Sequence, residues 1–133
     1  MRFVDTSFWV ALRFRGDRHH QDALRLWADR SPPLLTTNHV IGETWTFLNR
    51  RIGHAEAIGF IDTVEGSRRL AVVSVDEVSE RAAWDWLRRH DERTYSFVDA
   101  TSFAVMRRER VSEALAFDGD FSAAGFVELR PKP

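Results

Sequence analysis

The chain has 133 residues, no cysteine and a formal net charge of −1, with 44% hydrophobic and 29% charged residues. That size suits a single domain spanning residues 1–133, large enough to bury most of its apolar surface. The composition excludes disulfides, thiolate nucleophiles and cysteine-ligated zinc. It offers no apolar stretch near the ~20 residues of a membrane helix, and no net charge that would draw the whole surface to a polyanion. Asp5 and Arg13 interrupt the only candidate leader, so a cytoplasmic protein with no membrane partner is expected.

The elements alternate strand and helix, the pattern of a mostly parallel sheet covered by helices. Arg2–Val4 is the first strand, and a short helix is expected over Phe8–Phe14. Asp17 is positioned to cap a second helix, with Ala23, Leu24 and Trp27 at helical spacing and Pro32-Pro33 as its stop. Leu34–Thr36 reads as a strand. Thr37 or Asn38 then caps a helix whose apolar face includes Val40, Ile41, Thr44, Phe47 and Leu48. After Gly53 a further helix runs to about Glu65.

The β-branched run Leu70–Val75 predicts a strand buried on both faces. Asp76 caps a helix to about Arg89, with Val78, Ala82, Trp86 and Leu87 offered for packing. Trp84 and Trp86, two apart, point away from each other, so one of them is free for a subunit or partner contact. Ser96 caps a helix carrying Asp99, Phe103, Ala104 and Met106. Ala114–Phe117 is the fourth strand, and Phe126–Leu129 a fifth at an edge. No repeat, linker or low-complexity segment interrupts the series.

Four acids stand out against this frame: Asp5, Glu43, Asp99 and Asp118. Asp5 and Asp118 follow short apolar runs that read as strands, and open parallel sheets bind ligands beyond the carboxyl ends of their strands. Each acid also has an ordinary explanation. Asp5 suits an N-cap, and Glu43 a solvated helix face. Ser96 to Asp99 has the spacing of a capping box, and Asp118-Gly119 is a turn dipeptide. Their joint occurrence carries the weight. Carboxylates gathered at one sheet end repel unless protons or cations intervene. A hard cation such as Mg²⁺ or Mn²⁺ accepts that oxygen donor set. Such a site suits phosphodiester hydrolysis, in which metal activates water and stabilises developing charge, with Asp99 or Glu43 available to take a proton. One-metal and two-metal arrangements both remain open.

The five histidines (His19, His20, His39, His54, His90) show no His-Glu-x-x-His spacing and read as surface or capping residues. All basic residues except Lys132 are arginines, many in pairs such as Arg50-Arg51 and Arg88-Arg89. Arginine favours bidentate phosphate contacts, but the sequence does not place any pair near the acids.

Phe3-Val4-Asp5-Thr6-Ser7, Gly42-Glu43-Thr44, Tyr95-Ser96-Phe97-Val98-Asp99-Ala100-Thr101-Ser102 and Ala116-Phe117-Asp118-Gly119-Asp120-Phe121 resemble PIN-domain ribonucleases. Within them the chain resembles the VapC-type toxins of bacterial toxin–antitoxin modules, along essentially its whole length. The resemblance implies a three-layer α/β/α sandwich with a central sheet of four to five strands. It places the four family acids on Asp5, Glu43, Asp99 and Asp118, and an additional metal-binding acid on Asp120. Ser7 and Thr101 fall on polar positions that support the metal site. It further implies Mg²⁺- or Mn²⁺-dependent cleavage of RNA such as tRNA or rRNA, usually a homodimer, and a small VapB-type antitoxin. Other readings fit less well. A haloacid-dehalogenase-like phosphatase would need an acid where Ser7 stands, and a downstream lysine. A pure binding module would leave the acids as caps and turns. A PIN-fold RNA-processing nuclease outside a toxin–antitoxin module would more often carry an extra domain.

Overall fold

The computed structural model describes residues 1–133. In chain order the elements are β1 (Arg2–Val4), α1 (Thr6–Arg13), α2 (His20–Ala28), β2 (Leu34–Thr37), α3 (Asn38–Arg51), α4 (His54–Gly66), β3 (Leu70–Val73), α5 (Glu77–Arg89), α6 (Phe97–Glu109), β4 (Glu113–Leu115), α7 (Asp120–Ala123) and β5 (Val127–Glu128). The five strands form one parallel sheet in the order β3-β2-β1-β4-β5.

That order places the site. From β1 the chain steps outward to β2 and then β3 through α1 to α4, which pack on one another. It then crosses back over the sheet through α5 and α6 to β4, and on through α7 to β5. Right-handed crossovers running in opposite directions put the two helix groups on opposite faces of the sheet. The strand order reverses between β1 and β4, so a crevice opens beyond their carboxyl ends. Asp5 follows β1 directly, and its backbone N–H donates to the Leu115 carbonyl at the end of β4, 3.1 Å away. The two acidic strand ends are therefore fixed side by side.

Local chemistry sets the helix starts. Asp5 is extended and accepts from the Ser7 N–H, so β1 ends and α1 begins at Thr6, two residues before the expected Phe8. Thr37, Asp76 and Ser96 cap α3, α5 and α6 in the same way. Ser96 and Asp99 complete a reciprocal capping box, aspartate standing where glutamate is more usual. The core is aromatic. Trp9 is fully buried, with ring centroids 5.4 Å from Phe60 and 5.6 Å from Trp27. Truncating such a side chain to alanine costs about 3–5 kcal/mol.

Several expectations are corrected. The Leu70–Val75 run forms an edge strand that stops at Val73, with Ala71 and Val72 exposed. An unbroken apolar run does not distinguish a central strand from an edge. The fourth strand stops at Leu115; Ala116 and Phe117 lie beyond the ladder. Asp17 does not cap α2. Its Oδ1 instead accepts from the His19 N–H at 2.8 Å in the preceding turn. On α5 the buried face is Ser79, Ala83 and Trp86, leaving Val78 and Ala82 to solvent. Phe47 and Leu24 are also exposed. The short helix α7 follows Gly119, whose positive φ of 85° lets the chain turn sharply after Asp118.

Candidate metal centre

The crevice at the β1/β4 switch is a cleft of about 660 Å³ lined by Asp5, Glu43, Asp99, Asp118 and Asp120 together with Thr6, Ser7 and Ser96. Each carboxylate arrives on a different device. Asp5 is the N-cap of α1. Glu43 projects from α3 and Asp99 from the first turn of α6. Asp118 and Asp120 flank the Gly119 turn.

Most of them are pinned through one oxygen. Oδ2 of Asp5 accepts from the Ser7 hydroxyl at 2.7 Å and the Ser7 N–H at 3.1 Å, while its Oδ1 has no protein partner. The Ser7 hydroxyl in turn accepts from the Phe117 N–H at 2.9 Å, tying Asp5 to the segment after β4. Oε1 of Glu43 accepts from the Thr6 hydroxyl at 2.6 Å, leaving Oε2 free. Oδ2 of Asp99 accepts from the Ser96 N–H at 3.0 Å, leaving Oδ1 free. Asp118 Oδ1 accepts from the Asp120 N–H at 3.1 Å. Oxygens of Asp99, Asp118 and Asp120 lie within 4.8 Å of one another, close enough for one cation.

The electrostatics of the cleft are strained. Asp5 is buried, and loss of water raises its carboxyl well above the ordinary range. The charge on Asp118 raises it further, against the Ser7 hydrogen bonds. Burial pushes Asp99 up to about 7, opposed by the Ser96 N–H and reinforced by Asp118 and Asp120. Asp118 stands at the mouth and is exposed. Protein atoms crowded around its carboxyl still displace enough water to raise it, more than the Asp120 N–H lowers it. Arg18 lines the cleft without an ion pair to any of these acids, and the one cation paired with them is Arg93. Its Nε donates to Asp120 Oδ1 at 2.9 Å and its Nη2 to the Asp118 carbonyl at 3.2 Å. The carboxylates of Asp5, Asp99 and Asp118 have no cationic partner, and acids left so beside one another fit a hard divalent cation.

Of the two supporting hydroxyls, Ser7 touches Asp5, as described. The Thr101 hydroxyl donates to the Val98 carbonyl within its own helix at 2.9 Å and bonds to none of the acids. Thr6, inside the first motif, fixes Glu43 rather than Asp5. Residues outside the motifs also line the cleft: Asp17, Arg18 and His19 form one wall, His19 stacking on Phe117 at 4.5 Å. Arg93 lies in a polar, aperiodic stretch, and its contact with Asp120 spans 27 residues, so no local signal marks it.

The PIN-domain family matches residues 2–127. The 23S rRNA-specific endonuclease VapC20 from two strains of Mycobacterium tuberculosis, CDC 1551 / Oshkosh and H37Rv, is 58% identical over 135 aligned residues. That alignment covers 99% of this chain and 100% of each relative. The crystal structure of M. tuberculosis VapC20, described as a sarcin–ricin-loop-cleaving toxin, superposes with a TM-score of 0.93 and covers 98% of this chain. The chain belongs to the PIN-domain family. Within that family it is a VapC-type endoribonuclease toxin of a toxin–antitoxin system.

Proposed function

We propose that this toxin cuts 23S ribosomal RNA within the sarcin–ricin loop, and so stops translation, using Mg²⁺ or Mn²⁺ held in the acidic cleft. The observation that carries the substrate is 58% identity across the full length of a relative named for that RNA. The oxygen-only donor set supports the cation. Asp99, Asp118 and Asp120, whose oxygens lie within 4.8 Å of one another, would hold it, with Asp5 and Glu43 as further ligands. When bound, a divalent cation activates water for attack and offsets the charge that builds on the scissile phosphate. The protein supplies the rest. Ser7 and Ser96 fix the carboxylates of Asp5 and Asp99, so their free oxygens are set in advance. Glu43, anchored by Thr6 and with Oε2 unbonded, takes the proton from the attacking water. As water oxygen bonds to phosphorus, the P–O bond to the departing strand breaks, and that oxygen leaves with a proton from solvent. Thr101 acts only by holding α6 in shape behind Asp99.

The family likeness also supports a cytoplasmic setting, a VapB-type antitoxin that covers the cleft, and a homodimer. For the dimer, Trp84 is 52% exposed and stacks on Phe97 at 4.2 Å, a large apolar surface beside the cleft-bearing α6. Reversible loss of dimer mass in Trp84→Asp by sedimentation would support that contact; unchanged mass would remove it.

The main test treats intact ribosomes with purified protein in Mg²⁺, in Mn²⁺ and in EDTA. A single cut in 23S rRNA that needs metal is expected. Metal-independent cleavage, or cuts only elsewhere, would sink the reading. No helix is long and apolar enough to cross a membrane.

A further inference from the structure

The acidic cleft does not end at Glu43. A second groove, about 720 Å³, continues from it along α3, and Glu43 and Phe47 line both. His39, Glu43, Phe47 and Arg50 recur at near-helical spacing, so one stripe of α3 climbs out of the cleft toward Arg50 and Arg51. From Glu43 to Arg50 the rise is ~10 Å along the helix. The next few phosphates of a bound strand, spaced ~3.4 Å along the axis when stacked, fall within that reach.

The chemistry along the stripe changes sign. Arg13, Arg93, Arg108 and Arg130 each hold a carboxylate. Arg50 and Arg51 have none within 4.0 Å and donate no hydrogen bond within the protein. Phe47 is 39% exposed, with the Arg51 guanidinium 5.9 Å from its ring. A charged side chain on a helix's last turn also stabilises the helix, but that role needs neither the groove nor the exposed ring. An unpaired guanidinium pair beside an exposed aromatic ring is what a single strand uses, phosphate on arginine and base on ring.

We infer that Phe47, Arg50 and Arg51 form a track for the RNA strand leaving the scissile phosphate, and so set substrate affinity without touching the reacting atoms. This rests on the ribonuclease function above, but not on which RNA is cut.

The test is equilibrium binding of a fluorescent hairpin RNA carrying the sarcin–ricin sequence, and of a single-stranded oligoribonucleotide, to the full chain made non-cleaving by Asp5→Asn. Binding is followed by anisotropy across a salt series. Adding Arg50→Gln and Arg51→Gln is expected to weaken binding at least about tenfold, and to lower the salt slope by ~1.4 for two phosphate contacts on a single strand. Phe47→Ala is expected to weaken binding with the slope unchanged. The remote exposed Arg68→Gln serves as control. In the cleaving protein the same arginine changes should raise KM with kcat within about twofold. Thermal melts and sedimentation accompany each variant. Affinity and slope matching the Arg68→Gln control would overturn the track. So would a loss of binding that coincides with a changed molecular mass, since the groove would then be a contact between copies. If wild-type protein leaves 23S rRNA uncut while the arginine changes still weaken binding, the substrate assignment fails and the track stands.

Discussion

The two ends of the same pair of strands are built on opposite electrostatic rules. At the amino end, β1 begins with Arg2, which reaches Asp29 at 3.3 Å and Glu113 at the start of β4 at 3.7 Å. Nearby Arg69 donates to the carbonyls of Trp27 and Asp29. Signs alternate there, and the Asp29 carboxyl sits below the ordinary range, mainly through its Ser31 hydrogen bonds and then through Arg2. At the carboxyl end the strands run into Asp5 and Asp118; beyond the loss of water, the charge on Asp118 raises both Asp5 and Asp99, and none of the three carboxylates has a cationic partner. One end is arranged for the folded state alone. The other holds a conflict that folding tolerates because a ligand resolves it.

Asp5→Asn should break the contrast most sharply. It keeps an oxygen for Ser7 but removes a charge, so RNA cleavage should fall at least about a hundredfold, beyond the cost of losing a supporting partner. The metal-free protein should meanwhile melt higher at pH 7. A lower melting temperature would show that the cleft is not electrostatically strained.

Ser7→Ala should come next. It frees the Asp5 carboxylate and strips the Phe117 N–H of its acceptor. Cleavage should drop about 10–100-fold and stability by about 1–3 kcal/mol. Full activity would mean that Asp5 is positioned by something else.

A third measurement follows metal-free stability against pH. Asp99 has a folded pKa of about 7 against an ordinary 3.8. Between those values the folded state holds more protons than the unfolded one, so stability from this group falls as pH rises through the window and is lowest above it. A melting temperature that declines from about pH 4 to 7, and recovers on adding Mn²⁺, is expected. A flat profile with no response to Mn²⁺ would count against cation binding.

Arg2→Ala should have the smallest effect. Its carboxylate partners are half exposed, so the loss should be at most about 1 kcal/mol, with cleavage within about twofold. A large loss of activity would show that the two ends are coupled through β1.

The sequence by itself determined much of this molecule. Asp5, Thr37, Asp76 and Ser96 carry capping side chains that act over two or three residues, so strand-to-helix transitions were legible wherever such a cap stood. The alternation of elements implied a parallel sheet, and hence a site at strand ends. Asp5 and Asp118 were candidates for that reason, Glu43 and Asp99 gained weight as helix acids occurring with them, and Asp120 needed the family resemblance. What exceeded local chemistry needed the tertiary structure. Edge and centre look alike in a β-branched run, so the exposure of Val72 depended on the strand order. Asp17, His19 and Arg93 reach the cleft only because loops distant in sequence meet there. The free guanidinium groups of Arg50 and Arg51 are visible only once every carboxylate has a position. Short-range hydrogen bonds are written into neighbouring residues; burial and the pairing of charges depend on what the whole chain brings alongside.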